Sequence, residues 1–238
     1  MTSVVSHYET LLAPIYLWMA GGLDNALAVG AADVCEFLDT PGYAVDLGAG
    51  FGMHSIPLAG SGYRVLAIDT SSYLLEQLRQ HSTGMPVAAV RADLRDFSRY
   101  LAGSADLILC MGDTLTHLSN TDEIRALLRD VAASLRAGGR FVATFRDYRQ
   151  LPLGDRRFIP VRTDLHRIHT CFLEEKAERV AVYDIVLERG ISGWTQRVSS
   201  YEKLRLSPEI VIEAAESAGL SCLSRPGPRG MLRILAHS

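Results

Sequence analysis

The segment Val45-Asp46-Leu47-Gly48-Ala49-Gly50-Phe51-Gly52 constrains this chain more than any other. An acidic residue stands near the end of a short apolar run, three glycines follow, and a helix must start at once. Glycine is required where backbone turns sharply and comes close to a ligand. The dinucleotide fingerprint is related, but it spaces its glycines GxGxxG and sets a pyrophosphate on a helix N-terminus. Here the spacing is GxGxG, and a carboxylate precedes it. A carboxylate suits a cationic amino group and suits a diphosphate poorly. The alternative reading is a tight strand-to-helix turn that holds no ligand, because a glycine motif by itself is weak evidence.

The surrounding pattern is that of an α/β fold. Tyr43–Leu47, Arg64–Ile68, Val87–Arg91, Ala105–Cys110 and Arg140–Phe145 read as strands. Ala105–Cys110 is nearly all apolar, as a strand buried on both faces should be. Ile124, Leu127, Leu128, Val131 and Leu135 recur at helical spacing. That helix is expected to be capped by Asn120 or Thr121 and ended by Gly138-Gly139. Strands alternating with helices imply a parallel sheet of right-handed βαβ units. Residues 1–40 read as helical, with Pro14 as an interruption and a second helix from Asp24 to about Leu38.

After Arg146 the alternation stops. Residues 157–206 carry three strand-like runs, Asp164–Leu173, Arg179–Glu188 and Trp194–Leu206, which predict an antiparallel meander. Ser207-Pro208 then starts a helix that Gly219 ends, and two strands follow near Leu220–Ser224 and Met231–Ala236. One domain is expected, with a helical lid over residues 1–40, a cofactor-binding core over 43–146 and 207–238, and an insertion over 157–206 on the acceptor side.

Two further acids follow the glycine loop in order. Asp69 closes the second strand, where nucleoside-binding folds use an acid to accept ribose hydroxyl hydrogen bonds. A helix cap is its other reading, since Asp69-Thr70-Ser71 precedes a helix. Asp93-Leu94 follows the third strand, where a carboxylate can accept an adenine amino proton and a leucine can pack beside the ring. Asp93 also reads as a cap.

These elements, in this order, resemble the class I methyltransferase family over residues 43–145. The resemblance implies a Rossmann-like seven-stranded sheet whose last strand is antiparallel, with S-adenosylmethionine across the strand ends. It implies that Asp46, Gly48, Ala49, Gly50 and Gly52 face the methionine part. Asp69 and Thr70 then hold the ribose, Asp93 and Leu94 frame the adenine, and Met111 and Gly112 complete the set.

The acceptor side is expected after the fourth strand, at Gly112-Asp113-Thr114 and His117-Leu118, and after the fifth, at Arg146-Asp147-Tyr148. Both segments resemble the glycine N-methyltransferase-like group, whose loops read Gly-Asn-Ser with a following His-Leu, and Arg-Asn-Tyr. Asp113 replaces the asparagine. The resemblance implies that Arg146 binds an acceptor carboxylate, which suits a planar guanidinium. Asp113 and His117 are the candidates to assist proton removal, with Tyr148 beside them. A surface ion pair for Arg146 and a packed or capping histidine for His117 are the plainer readings. Tyr8, Tyr16 and Trp18 are either a lid over the pocket or core packing.

Composition narrows the partners. The net charge is −3, and no basic surplus points to nucleic acid. The proline-rich tetrapeptide of DNA amino-methyltransferases and the Pro-Cys of cytosine-5 enzymes are both missing after strand four. Cys35, Cys110, Cys171 and Cys222 form no CxxC pair, so no metal site is expected. Leu11–Leu23 is too short and too interrupted to span a bilayer, and no secretory leader pattern is seen. The expectation is a cytoplasmic monomer or homodimer that methylates a small molecule, with no nucleic acid and no membrane partner. The competing classes are a nicotinamide oxidoreductase, a non-catalytic S-adenosylmethionine-binding protein, and a protein or RNA methyltransferase.

Overall fold

The computed structural model describes residues 4–38, 40–149 and 151–238. The parts of the expected lid at residues 1–3 and 39 lie outside them. The core is a seven-stranded sheet built from β1 (Tyr43–Leu47), β2 (Arg64–Asp69), β3 (Val87–Arg91), β4 (Ala105–Cys110), β5 (Leu135–Phe145), β10 (Ser221–Pro226) and β11 (Leu232–His237). Its order is β10-β11-β5-β4-β1-β2-β3. β1 pairs parallel with β2 and β4, while β11 runs antiparallel to both β5 and β10. This is the doubly wound arrangement expected, with the last strand reversed.

Alternation along the buried strands divides the core into two layers. Val45, Leu47, Ile108 and Phe141 face α6 (Thr121–Ser134) and α7 (Pro208–Ser217) through Leu127, Val131, Val211 and Ala215. Ala44, Val65, Leu107 and Val142 face the other way, toward Val34 of α3 (Leu23–Val34) and Leu58 of α4 (Ser55–Gly60). A central strand such as β1 is therefore buried along its whole length.

Two sequence expectations are corrected, and the interruption at Pro14 is given its form. α6 is capped by Asn120, whose Oδ1 accepts from Glu123 N at 2.9 Å, but it ends at Ser134 rather than at Gly138-Gly139. The glycines instead lie inside an irregular lead-in to β5, which bends against β4 between Ala105 and Leu107. A Cβ at Gly139 would crowd the carbonyl oxygens of Arg136 and Ala105. The insertion holds four strands, not three: β6 (Phe158–Thr163), β7 (Arg167–Glu175), β8 (Arg179–Gly190) and β9 (Gly193–Leu204). β6 escapes notice because Pro160 breaks its pattern, yet proline is tolerated on an edge strand. The N-terminal segment is α1 (Val4–His7), a π-helical turn (Tyr8–Leu12) and α2 (Ala13–Met19). Pro14 sits in the first turn of α2. Its ring crowds the carbonyl four residues back, and the chain widens there, with Ala13 N donating to Tyr8 O.

The first helices pack on the inner face of the inserted sheet, where Leu11 and Ile15 meet Val186 and Tyr8 meets Leu173, Val182 and Tyr201. β9 also packs against the turn Thr114–His117 that follows β4. The inserted sheet thus stands beside the carboxyl ends of the core strands. No helix among the described residues is long and apolar enough to cross a membrane.

Candidate active site

The glycine loop is tied to the end of β2. Gly48 N and Ala49 N donate to Ile68 O at 2.8 and 3.0 Å. Gly50 N donates to Asp69 Oδ2, and Ser71 N to Asp69 Oδ1, both at 2.8 Å. Gly48 has φ +77°, and a Cβ there would lie 2.6 Å from Thr114 Cγ2, so the loop after β4 is seated directly on it. The helix cap at β2 is Ser71, whose Oγ accepts from Leu74 N. That leaves Asp69 as the half-buried acid at the strand end, with Thr70 beside it. Burial pushes the Asp69 carboxyl above its usual range, against the two backbone N–H donors.

Asp46 is 1% exposed, and its Oδ2 accepts from Ser55 Oγ at 2.6 Å. Burial raises its carboxyl too, with His54 and Ser55 opposing. Its described contact is inward, where it fixes the start of α4 behind the glycine loop. Asp93 accepts from Arg95 N and is gripped by the Arg95 side chain at 2.9 and 2.6 Å. The capping reading of Asp93 holds: it caps the turn Leu94–Tyr100, and Arg95 holds its carboxyl below the usual range. Leu94 packs at the edge of the main core. Met111 is buried, and Gly112 N donates to Thr144 Oγ1 at 2.8 Å. Gly112 has φ +71°, and open space surrounds the position of an added Cβ.

The acceptor residues form one cluster around Asp113. This aspartate is 1% exposed and adopts a left-handed φ of 73°. Its Oδ1 accepts from Arg146 N at 2.5 Å. Its Oδ2 accepts from Arg146 Nη1 at 2.6 Å, Lys203 Nζ at 2.9 Å and the Tyr148 hydroxyl at 3.1 Å. Burial would raise its carboxyl, but Lys203 and then Arg146 outweigh it and hold it far below the carboxylate range. A carboxylate in that state binds a proton too weakly to act as a base near neutrality. Arg146 turns one nitrogen inward to Asp113 while half of its side chain stays exposed.

His117 lies at the other side of this cluster. Its Nε2 is 3.4 Å from the Tyr8 hydroxyl, its Nδ1 is buried without a partner among the described residues, and Tyr201 packs beside its ring. Burial, then Lys203, pushes its pKa down to about 3, so the ring is neutral. Tyr16 rests on Phe51 of the glycine loop, and Glu9 accepts from Ser72 N at the start of α5 (Ser72–His81). The N-terminal segment therefore bridges both halves of the cleft. Trp18 does not join it: its Nε1 donates to Asp164 Oδ2 at 2.6 Å and the ring lies under Arg162 and Arg167.

Sequence reasoning missed Lys203 and Tyr201. The signal was there in outline, since period-two alternation puts both on one face of β9 and a lysine among inward positions is unusual. It also missed a buried group in which Asp184 accepts from His7 Nε2 and His169 Nε2 at 2.9 and 2.7 Å. These residues lie 15 to 177 positions apart in the chain, so no local spacing reveals them.

Residues 44–139 match the family described as "Methyltransferase domain". A glycine/sarcosine N-methyltransferase of Halorhodospira halochloris is 29% identical over 106 residues, which cover 44% of this chain and 40% of that protein. The match thus spans well under half the length of that curated relative. Among solved structures, the CcbJ methyltransferase of Streptomyces caelestis superposes with a TM-score of 0.78 at 21% identity, covering 97% of each chain. CalS10, an amino pentose methyltransferase of Micromonospora echinaspora, gives 0.76 at 18% identity, covering 94% of this chain and 95% of its own. Matched domain, strand order and glycine loop agree: residues 44–139 form a methyltransferase domain, and the chain shares the fold of S-adenosylmethionine-dependent methyltransferases.

Proposed function

We propose that this protein transfers a methyl group from S-adenosylmethionine to a small-molecule acceptor held between Gly112–His117, Arg146–Tyr148 and β9. The observation that carries the reading is a juxtaposition at the carboxyl ends of adjacent strands. The glycine loop and Asp69 form a cleft at β1 and β2, and the cluster around Asp113 begins where β4 and β5 end. In open α/β sheets this crevice is where ligands bind.

The residues present fit the cofactor. Asp69 keeps lone pairs free for ribose hydroxyls after accepting two backbone N–H groups. Gly50 and Gly112, both at positive φ, leave backbone open to close approach. Asp93 and Leu94 frame the adenine end, and Gly48, Ala49 and Gly52 shape the loop that Asp46 braces from behind. When bound, the sulfonium supplies an activated methyl group. The protein's part is then to position the acceptor and exclude water.

Asp113 does this as an anchor that orders Arg146, Tyr148 and Lys203. His117, neutral and with a free buried Nδ1, orients an acceptor N–H or O–H. Tyr8 and Tyr16 close the space, which limits the acceptor to a small molecule. The names of the glycine/sarcosine N-methyltransferase and the amino pentose methyltransferase it resembles favour an amine as acceptor. The test is release of S-adenosylhomocysteine across a panel of small amines, carboxylates, phenols and thiols, with calorimetry for the cofactor. No S-adenosylmethionine binding by the wild type would sink the reading. Binding without turnover of any small acceptor would favour the non-catalytic or macromolecular alternative.

A further inference from the structure

Lys203 reaches the acceptor cluster from the inserted sheet, and only 8% of its side chain is exposed. A buried ammonium needs an opposite charge and acceptors for three N–H groups. Its Nζ donates to Asp113 Oδ2 at 2.9 Å and to the Tyr148 hydroxyl at 3.3 Å. The rings of Tyr148 and Tyr201 stand 5.5 and 5.9 Å away, and Tyr8 and His117 pack against Tyr201 on the same side.

Donors crowd one carboxylate here. Arg146 and Lys203 share the single carboxylate of Asp113 and both touch the same oxygen. Burial keeps the Tyr8, Tyr148 and Tyr201 hydroxyls protonated, and His117 is neutral. Asp184, the other buried acid nearby, accepts from His7 and His169 rather than from Lys203. Lys203 is left with two described acceptors for its three N–H groups, and the rings of Tyr148 and Tyr201 stand beside it.

We infer that Lys203 selects the acceptor: it recognises a carboxylate joined to a flat apolar body. The carboxylate lies beside Lys203 and Arg146, and the body lies among Tyr8, His117, Tyr148 and Tyr201. This names the acceptor class of the site proposed above and rests on that reading.

The probes are benzoate and benzamide, which share a shape and differ in charge. Each is titrated by ligand-observed NMR into the full chain saturated with S-adenosylhomocysteine, for wild type, Lys203→Met and Lys203→Arg. Wild type should bind benzoate at least tenfold more tightly than benzamide. Lys203→Met should erase that preference and Lys203→Arg should keep most of it, with S-adenosylhomocysteine affinity unchanged in both. Equal binding of the two probes by wild type, binding of neither, or a benzoate preference that survives Lys203→Met overturns the inference. If Lys203→Met fails to fold, the wild-type comparison and Lys203→Gln decide the matter. A wild type that binds no S-adenosylhomocysteine brings down the proposed function itself, which is a separate result from intact cofactor binding with no benzoate preference.

Discussion

Replacing Asp113 by asparagine isolates the electrostatics of the acceptor cluster. The two side chains have the same shape, and asparagine tolerates the left-handed backbone at φ 73° as well as aspartate does, so no conformational cost is added. What is lost is the charge facing Lys203 and Arg146. Arg146 is half exposed and water can replace its partner. Lys203 is buried and has no such recourse. The asparagine amide group would also meet a donor, either Arg146 N or Lys203 Nζ. Removing one partner of a buried ion pair costs about 3–5 kcal/mol, a large share of the roughly 5–15 kcal/mol of a typical domain.

Urea unfolding of wild type, Asp113→Asn, Lys203→Met and the double variant measures this directly. Asp113→Asn should lose about 3–5 kcal/mol, and adding Lys203→Met should restore about 2 kcal/mol or more, because no buried charge is then stranded. The pH dependence has a defined direction. The Asp113 carboxyl is depressed on folding, so its contribution is present above its unfolded pKa of about 3.9 and fades as pH falls toward the folded value. The gap between wild type and Asp113→Asn should hold from pH 7 down to about pH 4 and narrow below that. Lys203 is raised on folding, so its contribution is complete below about pH 10.4 and is lost as pH rises through its folded value. A loss under about 1 kcal/mol in Asp113→Asn, or a double variant as unstable as the sum of the two singles, would refute the stranded-charge argument.

Asp69→Ala should weaken S-adenosylhomocysteine binding by about 1–3 kcal/mol through lost ribose hydrogen bonds, and calorimetry showing equal affinity would rule out this pose. Gly48→Ala should destabilise the chain by about 2 kcal/mol or more and weaken cofactor binding, since the new Cβ meets Thr114 at positive φ; a melting temperature equal to wild type would contradict the observed seat of that loop. Arg146→Lys keeps charge but loses the planar fork, so it should raise the acceptor's KM and leave cofactor affinity nearly unchanged; unchanged acceptor kinetics would remove Arg146 from the acceptor's surroundings.

Much of the core was legible because its signals are local. Apolar runs set β1, β3 and β4, glycine spacing marked the loop after β1, and Asn120 and Ser207 capped their helices as expected. Errors arose where a local rule met a tertiary one. Gly138-Gly139 look like a helix end but serve a bend that brings β5 against β4. Pro160 argues against a strand until its place on the edge of a sheet is known. Trp18 shares an apolar segment with Tyr16 but turns to Asp164, because the inserted sheet offers it an acceptor and two guanidinium groups.

By itself, then, the sequence determined the doubly wound sheet, the glycine loop and the acids that follow it, because each depends on a backbone geometry encoded within a few residues. It also brought forward Asp113, His117, Arg146 and Tyr148. Only the tertiary structure decided what they do together. Asp113 looked like a base, but Lys203, ninety residues away, supplies a buried charge that suppresses its proton affinity. Electrostatic roles depend on distance in space and on exclusion of water, and neither quantity is written in the order of residues along the chain.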